Sequence, residues 1–74
     1  MDFKLGLEVD TKMYAHNMKE QAIETFNEAH KKGASKAFMK SLYRQTLFDL
    51  SEYNSMLGML PQDGISRLTK EWDK

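Results

Sequence analysis

The sequence predicts a mainly α fold: an N-terminal β-strand, then a long antiparallel helical hairpin and a short C-terminal helix, in one small domain over residues 1–74 that assembles as a dimer. Three observations carry this. Residues 3–9 read Phe3-Lys4-Leu5-Gly6-Leu7-Glu8-Val9, with an apolar residue at every second position, the period of a strand. From Tyr14 onward the apolar spacing changes to between three and four, the period of a helix. Gly33 and Pro61 then interrupt the apolar stripes and divide the helical pattern into segments at about 11–32, 36–60 and 64–72.

The strand comes first. Its backbone N–H and C=O groups need partners, and no later segment alternates in the same way, so Phe3, Leu5, Leu7 and Val9 are expected to pair with a second copy of the chain. Asp10 or Thr11 then caps the first helix, Lys31 and Lys32 suit the negative end of its dipole, and Gly33 ends it in the left-handed conformation. Turning 100° per residue gathers Tyr14, Ala15, Met18, Ala22, Thr25, Phe26 and Ala29 on one face. Ala15, Ala22 and Ala29 recur at intervals of seven, a seam that lets a neighbouring helix approach closely.

Ser35 caps the second helix, which runs toward Pro61, with a possible break at Gly58. Phe38, Met39, Leu42, Tyr43, Thr46, Leu50, Tyr53, Met56, Leu57 and Leu60 form a broad apolar arc on it. One alanine-faced helix is too narrow to cover that arc, so a third element, the strand or a second copy must cover the surplus. After the turn Pro61-Gln62-Asp63-Gly64, the residues Ile65, Leu68 and Trp72 sit at i, i+3 and i+7 in a short amphipathic helix that docks through Trp72.

Composition narrows the function. The chain has no cysteine and two histidines, which removes disulfides, thiolate chemistry and the usual structural zinc sites, and leaves oligomerisation as the available staple for a core of this size. No apolar run reaches the ~20 residues of a membrane span and no secretory leader is visible, so a cytoplasmic location without membrane contact is expected. His16 and His30 stand about 21 Å apart along one helix and cannot share a metal. His16 and Glu20, at i and i+4, lack a third ligand. No nucleophile elbow, phosphate loop or metalloprotease signature occurs, so no catalytic residues, cofactor or metal are expected and the chain reads as a non-enzyme.

Lys plus Arg and Asp plus Glu both number 11, yet the charge is unevenly spread. Between Ala29 and Phe48 stand Lys31, Lys32, Lys36, Lys40 and Arg44 with no acid among them, a candidate nucleic-acid surface. Phe48 and Met59 fall on the polar side of the second helix, flanked by Arg44 and Glu52. Arg44, Phe48, Glu52 and Met59 together have the composition of a protein-binding hot spot with a polar rim.

The order strand, helix, turn, helix resembles the ribbon-helix-helix repressors. That resemblance implies paired strands in the DNA major groove, with the base-reading role falling on Lys4, Gly6 and Glu8. Of these only Lys4 has a charge suited to DNA, and the first helix is longer than that family's.

The leading expectation is therefore a small regulatory or accessory protein of the kind found among phage and bacterial modulators, homodimeric, that occupies a surface of a larger protein of unknown identity. A nucleic-acid-binding module is the alternative, and a structural assembly subunit the third.

Overall fold

A computed structural model describes residues 3–73 of the chain, with side chains from residue 10 onward. It is a helical hairpin, α1 (Phe3–Lys31) and α2 (Lys36–Leu57), followed by a C-terminal strap containing two single 3₁₀ turns, Ile65–Arg67 and Glu71–Asp73. Among the described residues there is no strand. The backbone of residues 3–9, expected to be a strand, instead forms the first two turns of α1. Without a sheet edge to pair with, a helix satisfies these N–H and C=O groups within the segment itself. Asp10 and Thr11 accordingly lie inside the helix and do not cap it. The side chains of Phe3, Leu5, Leu7 and Val9, on which the strand-paired dimer rested, lie outside the described residues, as do those of Lys4 and Glu8. With the strand goes the order of elements that resembled the ribbon-helix-helix repressors.

Both helices end in the same way, for the reason the glycines suggest. At Gly33 (φ 84°) the N–H donates to His30 O at 3.0 Å and the Ala34 N–H to Ala29 O at 3.1 Å. At Gly58 (φ 71°) the N–H donates to Ser55 O at 3.2 Å and the Met59 N–H to Asn54 O at 2.8 Å. Each pair is a Schellman motif, which uses a left-handed residue to satisfy the last carbonyls of a helix. Helix α2 therefore stops at Leu57, short of the expected position 60, because Gly58 turns the chain before Pro61 is reached. Ser35 caps its start, accepting from the Phe38 N–H at 3.2 Å.

The core is Ile23 and Phe26 from α1, Met39 and Leu50 from α2 and Leu68 from the strap, with Leu42, Tyr43, Leu47, Ile65 and Trp72 packed around it. The Phe26 ring meets Tyr43 and Trp72 at centroid distances of 5.8 and 6.2 Å, and Tyr43 and Trp72 meet each other at 5.3 Å. Aromatic packing of this sort adds to the stabilisation that burial alone gives.

In place of the expected third helix at 64–72, the strap runs from the open end of the hairpin back toward its turn. Three contacts fix its course. Asn54, fully buried in α2, donates from Nδ2 to Pro61 O at 3.0 Å and Asp63 O at 2.9 Å. Asn27 on α1 donates from Nδ2 to Arg67 O at 3.1 Å and accepts the Thr69 N–H at Oδ1 at 2.8 Å. Arg67 forms a two-pronged ion pair with Glu20 at 2.6 and 2.7 Å. Side-chain amides thus take the backbone hydrogen bonds a helix would have made, and Leu68 is extended between the two turns (ψ 136°) so that it can reach the core.

Candidate functional site

The strap covers one flank of the hairpin; the other flank is open. There a groove of about 190 Å³ runs between the helices, lined by Met18, Gln21, Ala22 and Thr25 of α1 and by Leu42, Thr46, Asp49 and Tyr53 of α2. Its floor follows from the sequence. The apolar arc of α2 is wider than α1 can cover, and the strap takes up part of the surplus at Tyr43 through Trp72. Ala22 belongs to the alanine seam and has too small a side chain to fill the space opposite Leu42 and Thr46. Within the seam only Ala15 is fully buried, while Ala22 and Ala29 are partly exposed.

Helical register extends the apolar strip beyond the groove at both ends. Phe38, one turn before Leu42, is 54% exposed, and Tyr14, one turn before Met18, is 55% exposed. Met56 follows Tyr53 by three residues and is also exposed. Tyr14 and Tyr53 close one end of the groove, with ring centroids 6.5 Å apart and the rings almost perpendicular.

Among the described residues Asp49 is the single charged one lining the groove, and its Oδ1 accepts from Gln45 Nε2 at 3.0 Å. The Tyr53 hydroxyl is held above its usual pKa of 10.0, first by burial and then by the neighbouring Tyr14, Asp49 and Glu52. Tyr53 therefore remains a neutral phenol, able to donate a hydrogen bond, well past neutral pH.

Of the residues expected to bind a protein, Phe48 is 67% exposed on the outer face of α2, with Arg44 and Glu52 exposed beside it. Met59 does not join them. Its alignment with Phe48 assumed a helix running to position 60, whereas the chain turns at Gly58 and the Met59 Sδ lies 3.9 Å from Lys19 Nζ, on the strap flank. Glu52 is shared with the groove through its effect on Tyr53. The expected nucleic-acid surface, Lys31, Lys32, Lys36, Lys40 and Arg44, is exposed throughout and surrounds the inter-helix turn. A second hollow of about 280 Å³, lined by Tyr43, Lys70, Trp72 and Asp73, opens on the strap side.

Among the described residues no cluster of three His, Cys, Asp or Glu side chains is placed to hold a metal, and no helix is long and apolar enough to cross a membrane. No family model, curated protein or solved structure matches the chain.

Proposed function

We propose that this chain is a small binding module, regulatory or accessory in role and without catalysis of its own, that works by accepting a helix of a larger protein into the open groove. One observation carries the reading: among the described residues, a two-helix face with an apolar floor at Met18, Ala22, Leu42 and Tyr53 has no third element over it, whereas the opposite face is closed by the strap. A hairpin completed by an incoming amphipathic helix buries both apolar faces at once, a recurring mode of recognition. The homodimer expected from the sequence pairs residues 3–9 and uses the apolar arc of the second helix; a second copy seated in the groove is a different contact.

The test compares faces. Ala22→Arg puts a bulky cation in the groove floor at a partly exposed position and is expected to abolish capture of the partner from cells of the source while leaving the helical circular dichroism intact. Phe48→Ala, on the outer face, is expected to leave capture unchanged. The reverse pattern would move the binding surface to the outer face of α2.

A second reading, nucleic-acid binding, is supported by the basic turn, because none of its five cations is in an ion pair among the described residues. If it holds, Lys36→Gln combined with Lys40→Gln lowers the slope of log K against log salt by about 2, one phosphate each. Absence of binding to a mixed oligonucleotide pool at ~50 mM salt, where phosphate contacts are strong, would eliminate it.

A further inference from the structure

The groove has a chemical sign, and the sign narrows the class of partner. Asp49 is its one charged lining residue. Glu52 follows three positions later, at the Tyr53 edge, and Glu28 stands exposed one turn beyond Thr25 on the matching edge of α1. The cations of α2 lie elsewhere: Lys36, Lys40 and Arg44 are spaced at i, i+4 and i+8 along the edge opposite to Phe38, Leu42 and Asp49. Lys19, the buried cation of α1, points to Met59 and Gly64 on the strap flank.

At the acidic end the edge-to-face tyrosines add a second attraction. A ring face near carboxylates draws a cation by its quadrupole as well as by charge, and a guanidinium or ammonium on an apolar stem fits such a corner. We infer that the groove takes a basic amphipathic helix of a partner protein, with a lysine or arginine of that helix set against the exposed Tyr14 ring at the Tyr53 end and paired with Asp49 and Glu52. The inference rests on the helix-accepting reading above.

The test uses the full chain and three synthetic helical peptides of about 18 residues, five turns long. They share one leucine seam and differ only in whether the polar positions are Lys, Gln or Glu. Amide chemical shifts of the labelled protein locate and quantify binding. The Lys peptide is expected to move Met18, Ala22, Leu42 and Tyr53 and to bind about tenfold or more tightly than the Gln peptide, with the Glu peptide weakest, the scale of one or two close charge pairs at an interface. Asp49→Asn with Glu52→Gln should bring the Lys peptide down to the affinity of the Gln peptide.

Equal binding of the Lys and Gln peptides in the groove would overturn the charge inference and leave helix docking standing. Groove shifts absent with all three peptides would overturn both. Concentration-dependent groove shifts in protein alone, with a sedimenting mass of two chains, would make a second copy the occupant and would also overturn the inference.

Discussion

Asn54 illustrates how much of the strap depends on single side chains. Its Nδ2 donates to two carbonyls, Pro61 O and Asp63 O, in a fully buried position where neither oxygen has a ready substitute. Replacing it with alanine is expected to cost about 1–3 kcal/mol, the penalty for leaving buried polar groups unpaired. Asn54→Asp should cost more at neutral pH, because a carboxylate replaces the donating amide with a charged acceptor that faces the same two carbonyl oxygens. Urea midpoints of the two variants decide this, and an aspartate variant as stable as the wild type would mean the loop at 61–63 is held by something else. In sequence Asn54 was legible only by position, four residues after Leu50 and three before Leu57, on a stripe otherwise apolar. Its polarity hid it, as the place of Asn27 on the polar face of α1 hid that residue's role as a backbone clamp.

The Glu20–Arg67 pair is a weaker fastening, because both groups are substantially exposed. Arg67, chiefly by hydrogen bonding, holds the Glu20 carboxyl below its usual value of 4.5. A depressed folded-state pKa contributes stability above the unfolded value, and the contribution is lost as pH falls through the folded one. Glu20→Gln should therefore lower the urea midpoint slightly at pH 7, by an amount that shrinks as pH falls below the usual value of 4.5. A gap that does not change with pH would show that the glutamate acts through packing.

At the scale of elements, the features set by local backbone chemistry were readable: Ser35 as a cap, Gly33 as a stop, and the hairpin between them. Two features were not. The alternation at residues 3–9 fits a strand only where a sheet edge exists, and the helix wins because it is self-sufficient. The spacing of Ile65, Leu68 and Trp72 fits a helix, yet so short a segment gains more from tertiary bonds to Asn54 and Asn27 than from its own turns. The purpose of that spacing was nevertheless correct, since all three side chains reach the core. Trp72→Ala should accordingly lower stability by about 2 kcal/mol, less than for a fully buried tryptophan, through loss of its contacts with Phe26 and Tyr43. Phe48→Ala should stay within about 0.5 kcal/mol, as is usual for exposed positions. Trp72 is also the single tryptophan of the chain, so its emission reports strap docking directly. A red-shifted spectrum in Asn54→Ala with unchanged helicity would show the strap leaving before the hairpin melts.

For the whole molecule, a formal charge of zero conceals a separation. Asp49 and Glu52 lie at the open-groove end marked by Tyr14 and Tyr53, while Lys31, Lys32, Lys36, Lys40 and Arg44 surround the turn. Two copies have two ways to meet. Groove against groove is a closed, two-fold contact that buries the apolar floor; groove end against turn end is attractive, head-to-tail and does not close. The second contact is made by exposed charges, which salt screens beyond about 8 Å at physiological ionic strength. Light scattering should therefore give the mass of one chain at ~100 µM protein in ~0.15 M salt, where these charges are screened, and a mass that climbs gradually with concentration near 0.01 M salt, where the screening length is about 30 Å. A dimer that persists in salt and saturates at two chains would mean that apolar burial in the groove holds the closed contact, and Ala22→Glu would then be expected to return it to one chain.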